Sequence, residues 1–339
     1  MEKTTDSKPI RDLSLDLLKG TAVFFMIVTH VNAFFYNAQA AWLNFFTWWG
    51  ATICFVTFVF AYGWGYGIKF SKGPLDKWPT FKRVLGILLG YYLVSGWIYL
   101  IWWGRPATPA GLLKIFLLLD LPEFTEFILS FVFYGALVLL FDRFFIKLAR
   151  SFWLPVLGIA TYVLSRYLYG LDWGWATAGK SLLVGHENLN RWGFLSFFAI
   201  FAFGVTFGYH FLKSPRRRLW QLGLFAVSAL AVLLLSRAGF SSERWPPSVL
   251  YLFWGLAYSF GALNVFPLLT KLPAVLSFFS YLGRNALDFF IGSTLVTITA
   301  ADLIGYRRFP EAATLAVLTG VLAINYLLSR LIRKTPSPS

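Results

Sequence analysis

The sequence predicts an all-α protein that crosses a membrane many times, and three observations indicate this. The 339 residues are 58% hydrophobic and only 13% charged, whereas about 25% of the residues of a soluble domain are charged. Apolar runs of about 20 residues, each long enough to cross roughly 30 Å of hydrocarbon as a helix, recur along the whole chain. Tryptophan and tyrosine cluster where these runs meet polar segments, as they do at membrane interfaces. A large soluble core is therefore not expected.

Ten apolar segments are predicted to be spans. They occupy 13–35, 43–68, 81–103, 124–146, 153–170, 193–212, 218–236, 248–269, 285–303 and 311–332. Two further stretches, 109–121 and 274–284, are too short to cross, so we expect half-helices there. Gly283 is expected to separate the second of these from the following span.

The distribution of basic residues among the loops predicts the orientation. Nineteen Lys and Arg residues lie on the side that holds both termini, and nine lie on the other side. Because loops rich in Lys and Arg stay in the cytoplasm, we expect both termini there, as an even number of spans requires. The sequence contains no N-x-[ST] glycosylation sequon, which is consistent with a bacterial inner membrane.

Composition also excludes several kinds of site. The net charge of +15 comes from short loops between spans rather than from one basic stripe, so we do not expect nucleic-acid binding. The single cysteine, Cys54, excludes an intramolecular disulfide and a cysteine-based metal site, and we expect no metal. The whole chain is predicted to be one transmembrane domain, with a short cytoplasmic segment at 1–12 and a short tail at 333–339.

The first span carries the most informative pair of residues. Lys19 and His30 are separated by three helical turns, about 16 Å along the axis, so they share one face of a helix. Exposing a lysine to lipid at the centre of a span costs about 2.5–3.5 kcal/mol. We therefore expect both residues to line a cavity inside the bundle. Alternatively, Lys19 extends to the interface and His30 is a hydrogen-bonded packing residue.

The chemistry of this pair favours a coenzyme A thioester as donor. Lys19, near the cytoplasmic boundary, can hold phosphate, and His30, deeper in the membrane, can act as a general base. Coenzyme A has a matching layout, because its phosphates lie at one end and its pantetheine arm carries the thioester at the other. Acyl-CoA, most simply acetyl-CoA, is the expected donor.

Several stretches of the sequence resemble one family. The run RDLSLDLLKGTAVFFMIVTH contains Lys19, ten further residues and then His30. This spacing is similar to the signature of the large membrane acyltransferase superfamily, which includes acyltransferase family three and the heparan-α-glucosaminide N-acetyltransferase-like proteins. Residues 54–67, 81–92 and 281–290 also resemble stretches of that family. The resemblance implies transfer of an acyl group to an oxygen or nitrogen acceptor, most simply on a glycan or glycolipid.

The resemblance also implies roles near the first span. His30 either removes the proton of an acceptor hydroxyl or amine, or transiently takes the acyl group itself. Asp16 is counted with His30 as a catalytic candidate, because it can pair with Lys19 as a gate at the mouth of the donor site. A simple ion pair on the helix surface is the alternative for Asp16.

The remaining candidates for the donor site lie at the starts of two later spans. Lys82 and Arg83 open the third span and would join Lys19 around the phosphates, or else serve as ordinary positive-inside anchors. Arg284 and Asn285 precede the ninth span and would close the same pocket, or else only cap the helix.

The candidates for the acceptor site lie on the other side of the membrane. His186 and Glu187 belong to the long polar loop 171–192, which also contains Arg191 and ends at Trp192. Glu123 and Glu126 begin the fourth span. Carboxylate, amide and aromatic groups usually hold carbohydrates, although a merely solvated loop is the alternative.

Two other functions stay open at this stage. A transporter or lipid flippase would use the same polar cavity without chemistry, although no inverted repeat is visible. A membrane scaffold would use the polar groups only for packing. The glycine pairs Gly86/Gly90 and Gly204/Gly208 have the GxxxG spacing that permits close helix packing.

Overall fold

The computed structural model describes residues 13–37, 40–106, 108–211, 214–307 and 309–334. These ranges contain fourteen α-helices, two 3₁₀ turns and one π-helical segment, and they contain no β-strand. The all-α prediction is therefore confirmed. The segment 1–12, Lys213, Arg308 and the tail from 335 lie outside the described residues.

The helices follow one another with short connections. The first seven are α1 (Leu13–Phe35), α2 (Ala41–Phe70), α3 (Lys77–Trp97), α4 (Pro109–Phe116), α5 (Glu126–Leu140), α6 (Asp142–Arg150) and α7 (Trp153–Tyr169). The next seven are α8 (Thr177–Leu183), α9 (Phe194–His210), α10 (Arg217–Arg237), α11 (Val249–Val265), α12 (Pro273–Arg284), α13 (Ala286–Ile304) and α14 (Glu311–Lys334). The π-helical segment Ile98–Trp102 extends α3, and the 3₁₀ turn Phe266–Lys271 extends α11.

Not every predicted span is a single long helix. Among the described residues, seven helices are long and apolar enough to cross a membrane, and an eighth is counted if α5 and α6 form one bent span. The two other predicted segments form the 17-residue helices α7 and α9. These long apolar helices indicate an integral membrane protein.

The fourth predicted span, 124–146, is wrong as a continuous helix. The chain bends by 90° between α5 and α6, and the apolar run ends at Asp142. The Asp142 carboxylate accepts a hydrogen bond from the backbone N–H of Leu75 at 3.4 Å. This contact with the α2–α3 connection holds the chain in the bend.

The prediction for Gly283 also needs correction. Gly283 lies inside α12, which continues to Arg284, and the break before α13 falls at Asn285. A Cβ at Gly283 would collide with the carbonyl oxygen of Asp16, so this glycine lets α12 approach the backbone of α1. Gly283 therefore serves helix packing rather than helix termination.

Helices α1 and α2 occupy the centre of the bundle. In the most apolar window of α1, 67% of the residues are buried, compared with 17% in α10, which lies at the periphery. Helix α2 packs against α1, α9 and α11. Gly204 and Gly208 contact the α2 backbone, which confirms the close packing predicted for that pair. Gly90 lies against the Ile291 side chain of α13, whereas Gly86 faces open space, so the predicted close packing is confirmed for Gly90 and wrong for Gly86.

Arg217 and Arg307, one member of each counted group of basic residues, lie at opposite ends of α1. At its beginning, Arg217 donates to the Ser14 hydroxyl and Arg284 lies 3.6 Å from the Asp16 carboxylate. At its end, the Arg307 backbone N–H donates to the carbonyl of Phe34. This separation agrees with the loop assignment, and which end faces the cytoplasm stays a prediction from the charge counts.

Candidate functional site

Two separate cavities open along α1, one near each end. The larger, which we call the His30 cavity, has a volume of about 310 Å³. The smaller, which we call the Lys19 pocket, has a volume of about 80 Å³. The predicted pair therefore does not share one continuous cavity, and each member lies in a cavity of its own.

One face of α1 forms a wall of the His30 cavity. Met26, Thr29, His30 and Ala33 follow the i, i+3, i+4, i+7 spacing of a single helical face and line the cavity together. Helix α2 supplies the opposite wall, which includes Cys54, Phe55 and Phe58.

The His30 ring faces this cavity. Its ring centroid lies 5.7 Å from that of Phe124, and the edge of one ring meets the face of the other. No hydrogen bond joins the imidazole to another residue in the part of the chain that the structure describes. Phe124 adopts φ 67°, a conformation that non-glycine residues rarely take, in the turn before α5. Because the imidazole has no hydrogen-bond partner among the described residues, both ring nitrogens of His30 are left for a ligand.

One face of α5 holds the segment 191–194 beside the cavity. Glu126, Ser130 and Tyr134 are four residues apart, and each forms a hydrogen bond with the segment 191–194. Glu126 accepts the backbone N–H of Arg191 at 3.3 Å, and the Tyr134 hydroxyl donates to a carbonyl at 2.7 Å. Glu126, which is only 4% exposed, and Glu123 both line the cavity. Two of the four predicted acceptor residues therefore lie beside His30.

The other two predicted acceptor residues do not line the cavity. His186 and Glu187 lie in the adjoining turn. The His186 Nδ1 accepts the backbone N–H of Asn188 at 3.2 Å, and the Glu187 carbonyl accepts a hydrogen bond from the Arg191 guanidinium at 3.1 Å. These two residues shape the loop that presents Arg191.

Arg244 and Trp245 line the cavity, and sequence reasoning did not select them. They lie in an irregular segment between α10 and α11. Helix α7 fixes this segment, because Tyr162 donates to the Pro247 carbonyl at 2.9 Å and Arg166 donates to the Pro246 carbonyl at 3.1 Å. No periodicity in the sequence indicates that this segment folds over α1.

The Lys19 pocket gathers three basic side chains. Lys19, Lys69 and Arg83 line it together with the hydroxyl-bearing rings of Tyr62 and Tyr66. The two tyrosine hydroxyls are hydrogen bonded to each other at 3.2 Å. Sequence reasoning did not select Lys69, although its spacing from Tyr62 and Tyr66 places all three on one face of α2.

Asp16 connects Lys19 with another predicted residue of the donor site. Its buried carboxylate, 2% exposed, lies 3.2 Å from the Lys19 ammonium and 3.6 Å from the Arg284 guanidinium. The carboxylate is therefore buried, whereas the side chains of Lys19 and Arg284 are 26% and 51% exposed. Asp16 precedes His30 by fourteen residues, about 21 Å along α1, so it positions Lys19 and does not reach the His30 cavity.

Two candidates for the donor site lie away from the pocket. The Lys82 ammonium lies 5.0 Å from the Trp78 ring centroid on the exposed start of α3. Asn285 is buried at the start of α13, where its amide donates to the Tyr281 carbonyl at 2.9 Å and makes no cap hydrogen bond.

A thin aromatic partition separates the two cavities. Phe58 lines the His30 cavity and Tyr62 lines the Lys19 pocket, yet they are one turn apart on α2, about 6 Å along the axis. Phe131 packs against a lining residue of each cavity. Its ring centroid lies 5.2 Å from that of Tyr62 and 5.9 Å from that of Phe55.

The long apolar helices indicate an integral membrane protein, and its bundle contains two chambers that are each lined by ionisable side chains. No known family model matches the chain. No curated protein matches it either.

Proposed function

We propose that this protein is a membrane acyltransferase. It takes an acyl group, most simply acetyl, from acyl-CoA at the Lys19 pocket and passes it to an acceptor in the His30 cavity. The acceptor is a hydroxyl or amine of a glycan or glycolipid. In this proposal the chain crosses a bacterial inner membrane ten times, with both termini in the cytoplasm.

One observation carries the proposal: Lys19, which can bind phosphate, and His30, which can accept a proton, are three turns apart on one face of α1 and line two neighbouring cavities. Lys19, Lys69 and Arg83 provide three positive charges around one pocket, as a donor with several phosphate groups requires. His30 faces a chamber that is large enough for one sugar residue. The extended pantetheine arm has a reach comparable to the distance of about 16 Å between them.

The transfer requires one base and one moving proton. His30 accepts the proton of the acceptor hydroxyl or amine while the oxygen or nitrogen attacks the thioester carbonyl. The carbon–sulfur bond breaks, and the leaving thiolate of coenzyme A takes the proton from the imidazolium. In the alternative route, the imidazole attacks first and carries the acyl group until the acceptor arrives.

The aromatic partition must open for the donor arm to pass. Tyr62 and Phe131 meet edge to face at 5.2 Å, so rotation of one ring widens the space between the two cavities. Aromatic side chains change rotamer without breaking the helix backbone, so this opening leaves the bundle intact.

The test separates binding from chemistry with three variants of the purified protein. Thermal shift with coenzyme A measures binding, and release of free thiol from acetyl-CoA measures transfer. We expect His30→Ala to keep the CoA shift and lose thiol release. Lys19→Met should lose the CoA shift, whereas the matched control Lys82→Met should keep it, because Lys82 lies outside the pocket.

Two outcomes contradict the proposal. If the wild-type protein shows no thermal shift with coenzyme A, the donor site is wrong and a transporter or lipid flippase becomes the better explanation of the two chambers. If His30→Ala releases thiol at the wild-type rate, His30 does not carry the chemistry.

A further inference from the structure

Two arginines from different loops meet on one indole ring at the wall of the His30 cavity. The guanidinium carbon of Arg191 lies 5.2 Å from the Trp245 ring centroid, and that of Arg244 lies 4.9 Å away. All three side chains line the cavity. Stacking on an aromatic ring orients a guanidinium group and leaves its in-plane N–H donors available.

Both arginines are held in place by secondary structure. The Arg191 backbone is fixed by Glu126 at the start of α5, and the segment after Arg244 is fixed by Tyr162 and Arg166 of α7. Trp192 packs against Trp245 with ring centroids 5.4 Å apart, which joins the two segments. The pair is thus a built feature of the cavity wall rather than two mobile surface charges.

The guanidinium groups have few partners of their own. In the ranges that the structure describes, no carboxylate oxygen lies within 4.0 Å of either group. Arg191 donates from Nε to the Glu187 carbonyl at 3.1 Å. The Arg244 side chain forms no hydrogen bond with any described residue. Most of their ten N–H donors therefore remain for a ligand.

The carboxylates of the cavity are arranged differently. Glu126 accepts a backbone N–H rather than a guanidinium group, and Glu123 lies at the exposed rim. Carboxylates in such positions accept hydrogen bonds from hydroxyl groups, whereas paired guanidinium groups bind carboxylate or phosphate oxygens. A ligand that binds both the carboxylates and the guanidinium groups therefore carries several hydroxyls and one anionic group.

We infer that the His30 cavity binds an acidic sugar, with its carboxylate or phosphate group against Arg191 and Arg244. Its hydroxyls lie toward Glu123, Glu126 and His30, which line the same cavity. The choice of a sugar rests on the proposed acyl transfer to a carbohydrate, while the preference for an anion rests on the arginine pair alone.

The experiment measures binding without any coenzyme A. The full chain in neutral detergent is titrated by calorimetry with methyl glucuronide, glucose 1-phosphate and the matched neutral sugar methyl glucoside. We expect at least one acidic sugar to bind tenfold or more tightly than methyl glucoside. Comparison of methyl glucuronide with glucose 1-phosphate shows whether the arginine pair prefers a carboxylate or a phosphate group.

Three variants test whether the preference for acidic sugars over methyl glucoside depends on the arginine pair. Arg244→Gln should reduce the preference for the acidic sugar at least tenfold, and Arg244→Lys should retain part of it, because the charge remains but the planar fork is lost. Arg237→Gln should have no effect, since Arg237 is an exposed arginine at the end of α10 that does not line the cavity. Melting temperatures close to that of the wild-type protein establish that each variant is folded.

The outcomes separate this inference from the proposed function. Binding of an acidic sugar by a protein that neither binds coenzyme A nor releases thiol supports the inference and removes the acyltransferase. Thiol release with no preference for acidic sugars keeps the acyltransferase and overturns the inference. Equal binding of all three sugars, binding of none, or an unchanged preference in Arg244→Gln also overturns it.

Discussion

The contact between α1 and α12 gives a prediction whose size follows from the structure. We consider Gly283→Ala. The added Cβ would collide with the Asp16 carbonyl oxygen and come within 2.6 Å of the Asp16 carbonyl carbon and 2.9 Å of the Gly20 backbone nitrogen. All three are backbone atoms, so no side chain can rotate away and the two helices must separate.

The expected loss of stability is the difference between two terms. Overpacking of a tight interior contact costs about 1–3 kcal/mol. Alanine in place of glycine inside a helix returns about 0.5–1 kcal/mol. The net destabilisation lies between about 0 and 2.5 kcal/mol, and the approach to three backbone atoms places it in the upper half of that range. Separation of the helices also moves Asp16 relative to Arg284, which weakens the ion pairs that position Lys19.

The assay is the melting temperature of the purified protein in detergent, with Gly86→Ala as the matched control. Gly86 lies in α3 with nothing within 4 Å of the position of a Cβ, so its substitution should be neutral or stabilising by up to about 1 kcal/mol. We expect Gly283→Ala to melt several degrees below the wild type and Gly86→Ala at or above it. If the two variants melt together, the backbone contact is not tight and this reasoning fails.

Three further predictions concern the cavities. Tyr134→Phe removes a buried 2.7 Å hydrogen bond to the Phe194 carbonyl. It should lower the free energy of unfolding by denaturant by about 1–3 kcal/mol. An unchanged free energy would show that α5 does not hold the segment 191–194. Phe131→Ala removes a ring of the partition and should raise thiol release from acetyl-CoA at low donor concentration, while an unchanged rate would mean that the ring does not limit passage. Lys69→Met should raise the KM for acetyl-CoA tenfold or more, whereas Lys82→Met should leave it unchanged; equal effects would remove Lys69 from the donor site.

The local sequence was sufficient to predict a helix wherever the helix begins and ends with its apolar stretch. The predicted first span, 13–35, matches α1, because a long apolar stretch with only three ionisable residues lies between polar segments. The break between α5 and α6 could not be predicted, because the bend depends on the hydrogen bond between Asp142 and Leu75, which are 67 residues apart.

The candidate site was predictable to the same extent. His30 and Lys19 were found because ionisable residues inside an apolar helix are exceptional. Lys69 could have been found from its spacing to Tyr62 and Tyr66 on α2. Arg244 could not, since its place at the cavity wall is set by hydrogen bonds from α7 to the following prolines.

The aromatic partition has an electrical consequence. When both chambers hold water, the membrane potential falls mainly across the single turn of α2 between Phe58 and Tyr62 instead of across roughly 30 Å of hydrocarbon. A unit charge that crosses this layer exchanges about 2.3 kcal/mol with the field for each 100 mV. In the proposed reaction the acyl group that crosses this layer on its thioester is neutral and exchanges none, so we expect its transfer to be independent of the membrane potential.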